Sequence, residues 1–79
     1  MIERKTFSVE GNCQINVTTE QMGDGTWAVV TSVTHRSETS EQVTDLPVPT
    51  ERFAAKTDAE EYGLRLGREW LAQNRPHAA

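Results

Sequence analysis

The run from Thr57 to Asn74, TDAEEYGLRLGREWLAQN, constrains this chain most. Ala59, Gly63, Leu66, Gly67, Trp70 and Leu71 recur at three- and four-residue steps, so a helix over them carries one apolar stripe, with Tyr62 at its margin. Two glycines lie inside that stripe. Each costs about 1 kcal/mol against alanine in a helix interior. A helix that keeps them needs a close backbone approach, either to a twisted sheet or to the helix of a second copy. The same glycine spacing marks a membrane dimer only inside an apolar span, and Arg65, Arg68 and Glu69 rule that out here.

The helix is expected over about residues 58–73. Thr57 suits the N-cap, and Glu60 three residues later completes a capping box. Asp58, Glu60 and Glu61 put negative charge where the helix dipole favours it. Glu61, Arg65 and Glu69 stand four apart and can pair along the solvated face. Asn74 suits the C′ position, and Pro76 cannot continue the helix, so residues 75–79 are expected as a frayed tail.

A one-striped helix needs a second layer, and the residues before it read as strands. From Lys5 to Gln21 the odd positions Phe7, Val9, Gly11, Cys13, Ile15 and Val17 alternate with polar even ones. The phase survives Gly11-Asn12, so one long kinked strand over about 5–21, or two collinear strands, is expected in preference to a hairpin there. Gly23-Asp24-Gly25 is the clearest turn, with Gly25 suited to a left-handed last position. Thr26 to Arg36, rich in β-branched residues, is the next strand. A three-residue loop makes facing residues sum to 48, pairing Ile15 with Val33, Val17 with Thr31, Cys13 with His35 and Gln21 with Trp27. Ser37 to Ser40 reads as a turn, and 41–46 as a weaker strand centred on Val43 and stopped by Pro47 and Pro49. Phe53 is expected under the helix start.

The 79 residues make one small domain. Its fold class is α+β in two layers: an antiparallel meander of three to four strands covered on one face by a single C-terminal helix, β-β-β-α. The expected core is Phe7, Val9, Ile15, Val17, Trp27, Val29, Val33, Phe53, Leu66, Trp70 and Leu71.

Charge and cysteine usage narrow the function classes. The net charge is −4, which repels phosphate backbones unless the cations cluster. Arg4, Lys5, Arg36, Arg52 and Lys56 are scattered along the chain. Cys13 is the one cysteine, so no intramolecular disulfide forms, which suits a reducing compartment. The start, MIERKTFSVEG, has no apolar signal core, and no run reaches membrane-spanning length. A small acidic cytoplasmic protein, bacterial by its size and simplicity, is the expectation.

Catalytic chemistry has little to stand on. Cys13 and His35 are the one pair that could form an activated thiol, but as sheet residues they lack a third orienting group. Two histidines and one cysteine show no metal-ligand spacing. Gly23 and Gly25 join two strands, so they form no phosphate cradle. No catalytic residue, cofactor or metal is expected.

The even face of the hairpin is the candidate interaction surface: Gln14, Asn16, Thr18, Val30, Ser32 and Thr34, flat and uncharged. The order of elements, strands then one C-terminal helix, is similar to that of the Whirly and Pur-type single-strand DNA binders. The resemblance covers element order alone and implies nucleic-acid binding on the sheet face. This chain departs from it in having no aromatic on the even positions and one cation, Arg36, at the strand end. The expected function is a non-enzymatic protein-interaction module, with self-association into a homodimer as one form of it. Single-stranded nucleic-acid binding through the same face is the alternative.

Overall fold

The computed structural model describes residues 2–9 and 11–74. Five elements follow in order: β1 (Ile2–Val9), β2 (Cys13–Gln21), β3 (Trp27–Arg36), β4 (Glu41–Asp45) and α1 (Lys56–Gln73). The four strands form one antiparallel meander in the order β1-β2-β3-β4, and α1 packs across β2 and β3. The α+β two-layer class holds, with the order β-β-β-β-α. The tail expected at 75–79 lies outside the described residues.

The first expected strand is in fact two. The chain folds back between Val9 and Cys13, and Phe7 pairs with Ile15. Gly11 and Asn12 both take positive φ, 77° and 60°, a conformation that glycine adopts freely and asparagine tolerates. The unbroken alternation could not reveal this fold-back. Facing residues of β1 and β2 sum to an even number, so odd residues of both arms lie on one side whether the strands run on or turn back.

The second hairpin follows the expected register. Cys13 faces His35, Ile15 faces Val33, Val17 faces Thr31 and Gln21 faces Trp27. Gly25 is left-handed at φ 88°. Asp24 closes the loop by accepting from the Thr26 amide at 3.0 Å and the Thr26 hydroxyl at 2.6 Å. These bonds hold its carboxyl below the usual aspartate range.

The odd residues of β2 and β3 meet the helix. Ile15, Val17, Val29 and Ala59 form the buried centre, with Phe7, Val9, Trp27, Phe53, Tyr62, Leu64 and Leu71 packed against it. Val33, Cys13 and Leu46 are buried as well. The Phe53 ring sits 5.1 Å from Tyr62, and its backbone pairs with that of Trp27. Two members of the expected core differ: Leu66 and Trp70 are half-buried and stand outside the central cluster. The line of closest approach runs instead through Ala59, Gly63 and Gly67, and their smallness puts the larger stripe residues on its flanks.

The helix start is also different. Ala55 is the N-cap, in extended geometry and without a side-chain cap bond. Lys56 opens the helix and pairs with Glu3. Thr57 therefore lies inside the first turn, exposed. Glu60 is used elsewhere, accepting from Lys5 at 3.2 Å. Two ion pairs to β1 thus draw the helix start two residues earlier than the capping box would set it. At the other end Asn74 is the C-cap with φ −123°, its amide and side chain both donating to the Trp70 carbonyl.

Candidate functional site

The register assembles the face opposite the helix residue by residue. Gln14 faces Thr34, Asn16 faces Ser32 and Thr18 faces Val30, so all six candidate residues share it. β1 adds Ile2, Arg4, Thr6 and Ser8, which pair with Glu20, Thr18, Asn16 and Gln14. The β3–β4 pairs sum to an odd number: Thr34 faces Val43 and Ser32 faces Asp45. Val43, which the sequence placed at the centre of its strand, therefore points away from the helix and is exposed. No element covers this face among the described residues.

Its centre is not the solvated surface that residue types alone suggest. Asn16 is 4% exposed and Thr34 8%. The Asn16 side-chain amide donates to Thr34 at 3.0 Å and Ser32 at 3.2 Å, and its carbonyl accepts from Thr6 at 3.1 Å. The network spans three strands and satisfies the amide's hydrogen-bonding groups within the face. Gln14, Thr18 and Ser32 are half-buried around it. Thr6 was missed in the sequence because its place depends on the fold-back at Gly11; the hairpin alternative would have found it.

Large apolar side chains ring this polar centre. Ile2 is 65% exposed, Val30 40% and Val43 58%. With Val48 in the link to the helix, they make up the exposed large apolar residues among those described, and three of the four lie on this one face.

The cations do not gather. Lys5 and Lys56 sit on the helix side, tied to Glu60 and Glu3. Arg4 and Arg36 share the open face but stand near opposite ends of it, and Arg36 pairs with Glu41 at 3.0 Å. A hollow of about 370 Å³ opens at the Arg36 end, with Ser8, Asn12, Gln14 and Thr34 in its walls. Its one cation is already engaged.

Cys13 and His35 are neighbours in the register, on the helix side. The thiol is 3% exposed, donates towards the Gly11 carbonyl at 3.5 Å, and burial pushes its pKa up. A nucleophilic thiol needs the opposite shift and access to solvent. Among the described residues no three metal-ligating side chains come together, and no helix is long and apolar enough to cross a membrane.

Both sheet edges carry devices against open-ended pairing. The Leu46 amide donates to the Thr31 carbonyl, so odd residues of β3 bond towards β4 and even ones towards β2. By the same alternation Ile2, Arg4, Thr6 and Ser8 turn their amides outward on the β1 edge. Glu3, Arg4 and Lys5 charge that edge, while β4 is short, acidic and ended by Pro47.

Compared with protein-family models, curated proteins and solved structures, the chain matches none of them.

Proposed function

We propose that this chain is a non-enzymatic protein-interaction module that engages its partner through the sheet face opposite the helix. One observation carries the reading: Ile2, Val30 and Val43, three of the four exposed large apolar residues among those described, share that face. Large apolar side chains gathered on one face, around a polar centre, leave apolar area that a contact would remove from water. The Asn16 network strengthens the reading, because it fixes a flat centre whose polar groups are already satisfied. A partner that docks there strips little water from unpaired groups and orders few side chains. The dispersal of the cations weighs against a phosphate track. A cytoplasmic setting suits the single buried thiol.

A photo-crosslinking residue placed at Val30, and separately at Arg68 on the exposed helix surface, tests this in an extract of the source cells. Defined protein adducts from Val30 and none from Arg68 are the expected result. Adducts that vanish with nuclease, or the same pattern from both positions, would remove the reading.

A further inference from the structure

The geometry points to a second copy of this chain as the partner of the open face, docked sheet on sheet about a two-fold axis running parallel to the strands. This rests on the reading of that face as an interaction surface and names its occupant. Across the strands the charges on the face alternate in sign: Arg4 on β1, Glu20 on β2, Arg36 on β3, Glu41 and Asp45 on β4. A two-fold along the strands reverses this order from left to right while keeping each row at its own height. β1 then lies over the partner's β4 and β2 over its β3, so the Arg4 strand meets the acidic one, while Glu20 and Arg36 stand at opposite ends of the face and do not meet. Arg4 and Asp45 stand in adjacent rows at opposite margins, the rows of Thr18 and of Asn16. Reversal places each Arg4 beside the other copy's Asp45.

The neutral centre fits the same axis. Val30, in the third of four strands, falls next to the axis, over the partner's Thr18 and beside the partner's Val30. Asn16 meets Ser32, and Gln14 meets Thr34. These are small or amide side chains that can interleave at the spacing of roughly 10 Å between packed sheets. Four strands about 4.8 Å apart and eight residues at about 3.3 Å each give a face of roughly 500 Å² per copy. Two such faces bury about 1,000 Å², the lower bound of a specific interface. The dimer is therefore a weak one, in exchange with monomer at micromolar to sub-millimolar concentration. The guarded edges leave the face, not an edge, as the place of contact.

Sedimentation equilibrium on the wild type, R4D, D45R and the R4D/D45R double variant tests this directly. The wild type is expected to dimerise. Each single reversal sets like charges at both symmetry-related pairs and weakens the dimer about tenfold, about 1.4 kcal/mol over the two together. The double variant recreates the pair with its signs exchanged and restores affinity to within about threefold of wild type. A wild type that stays monomeric at about 1 mM, or a double variant no tighter than the singles, overturns the inference. So do dilution-dependent amide shifts confined to the β1 edge residues Ile2, Arg4, Thr6 and Ser8. In each of those cases Val30-specific adducts to a different protein would leave the broader interaction reading standing, so the two fail separately.

Discussion

The Thr31 hydroxyl donates to the Gly63 carbonyl at 2.9 Å, a buried bond that joins the sheet to the helix backbone. It forms because residue 63 has no side chain. A Cβ there would stand 2.7 Å from Val29 Cγ2, 2.8 Å from Val17 Cγ1 and 2.9 Å from Thr31 Oγ1. One turn later a Cβ on Gly67 would meet Ile15 Cγ2 at 2.5 Å. The glycines are thus the condition of the close packing that Ile15, Val17 and Val29 make under the helix.

Gly67→Ala sets two effects against each other. Alanine gains about 1 kcal/mol in helix propensity, while forcing a methyl against a branched core residue costs about 1–3 kcal/mol. The clash is with Ile15, which is fully buried and has no room to yield. Net destabilisation of about 1–2 kcal/mol is expected in urea unfolding. A more stable variant would mean that the helix rides higher on the sheet.

Asn16→Ala removes the hub of the open-face network and leaves Thr6, Ser32 and Thr34 without their shared partner. A loss of about 1–3 kcal/mol is expected. Thr18→Ala, on the same strand and face but outside the network, should stay within about 0.5 kcal/mol. Equal effects at the two positions would show that Asn16 is an ordinary surface residue.

Thr57→Ala distinguishes the two helix starts. Loss of a threonine cap costs about 1 kcal/mol. In this fold Thr57 is an exposed first-turn residue behind the Ala55 cap, so thermal unfolding should change by less than about 0.5 kcal/mol.

Alkylation of Cys13 should be slow. The thiol is buried and its pKa is raised by that burial, so reaction waits for local opening of the fold. A rate at least about 100-fold below that in denaturant is expected at neutral pH. Comparable rates would place Cys13 at the surface.

The Tyr62 phenol donates to the Glu51 carboxylate. That bond, followed by desolvation, raises the tyrosine pKa, and the same bond leads the lowering of the glutamate pKa. The contribution of the raised tyrosine is complete below about pH 10, its ordinary value, and is lost as pH rises through the raised one. The contribution of the depressed glutamate is complete above about pH 4.3 and is lost as pH falls through its lowered value. Tyr62 is the sole tyrosine, so its ultraviolet titration is unambiguous. Glu51→Gln should move the midpoint down towards the ordinary value; an unmoved midpoint would show that the bond is not formed in solution.

The sequence by itself determined the layers. Period-two alternation, the Gly23-Asp24-Gly25 turn and the glycine-bearing stripe specify a hairpin, its register and a helix that must lie close on it. These are local properties, set by which side of a strand or helix a residue occupies. The choice between running on and folding back at Gly11 was not local, because both leave every odd residue on the same face. Tertiary structure decided it, and with it the placing of Thr6 beside Asn16 and of Arg4 beside Thr18. It also moved the helix start, where ion pairs from Lys56 to Glu3 and from Lys5 to Glu60 outweigh the capping box. The candidate face shows the same division. Parity in the sequence identified its six residues, but the burial of Asn16 and the exposure of Val43 depend on what β1 and β4 bring beside them. No pattern within a single strand carries that information.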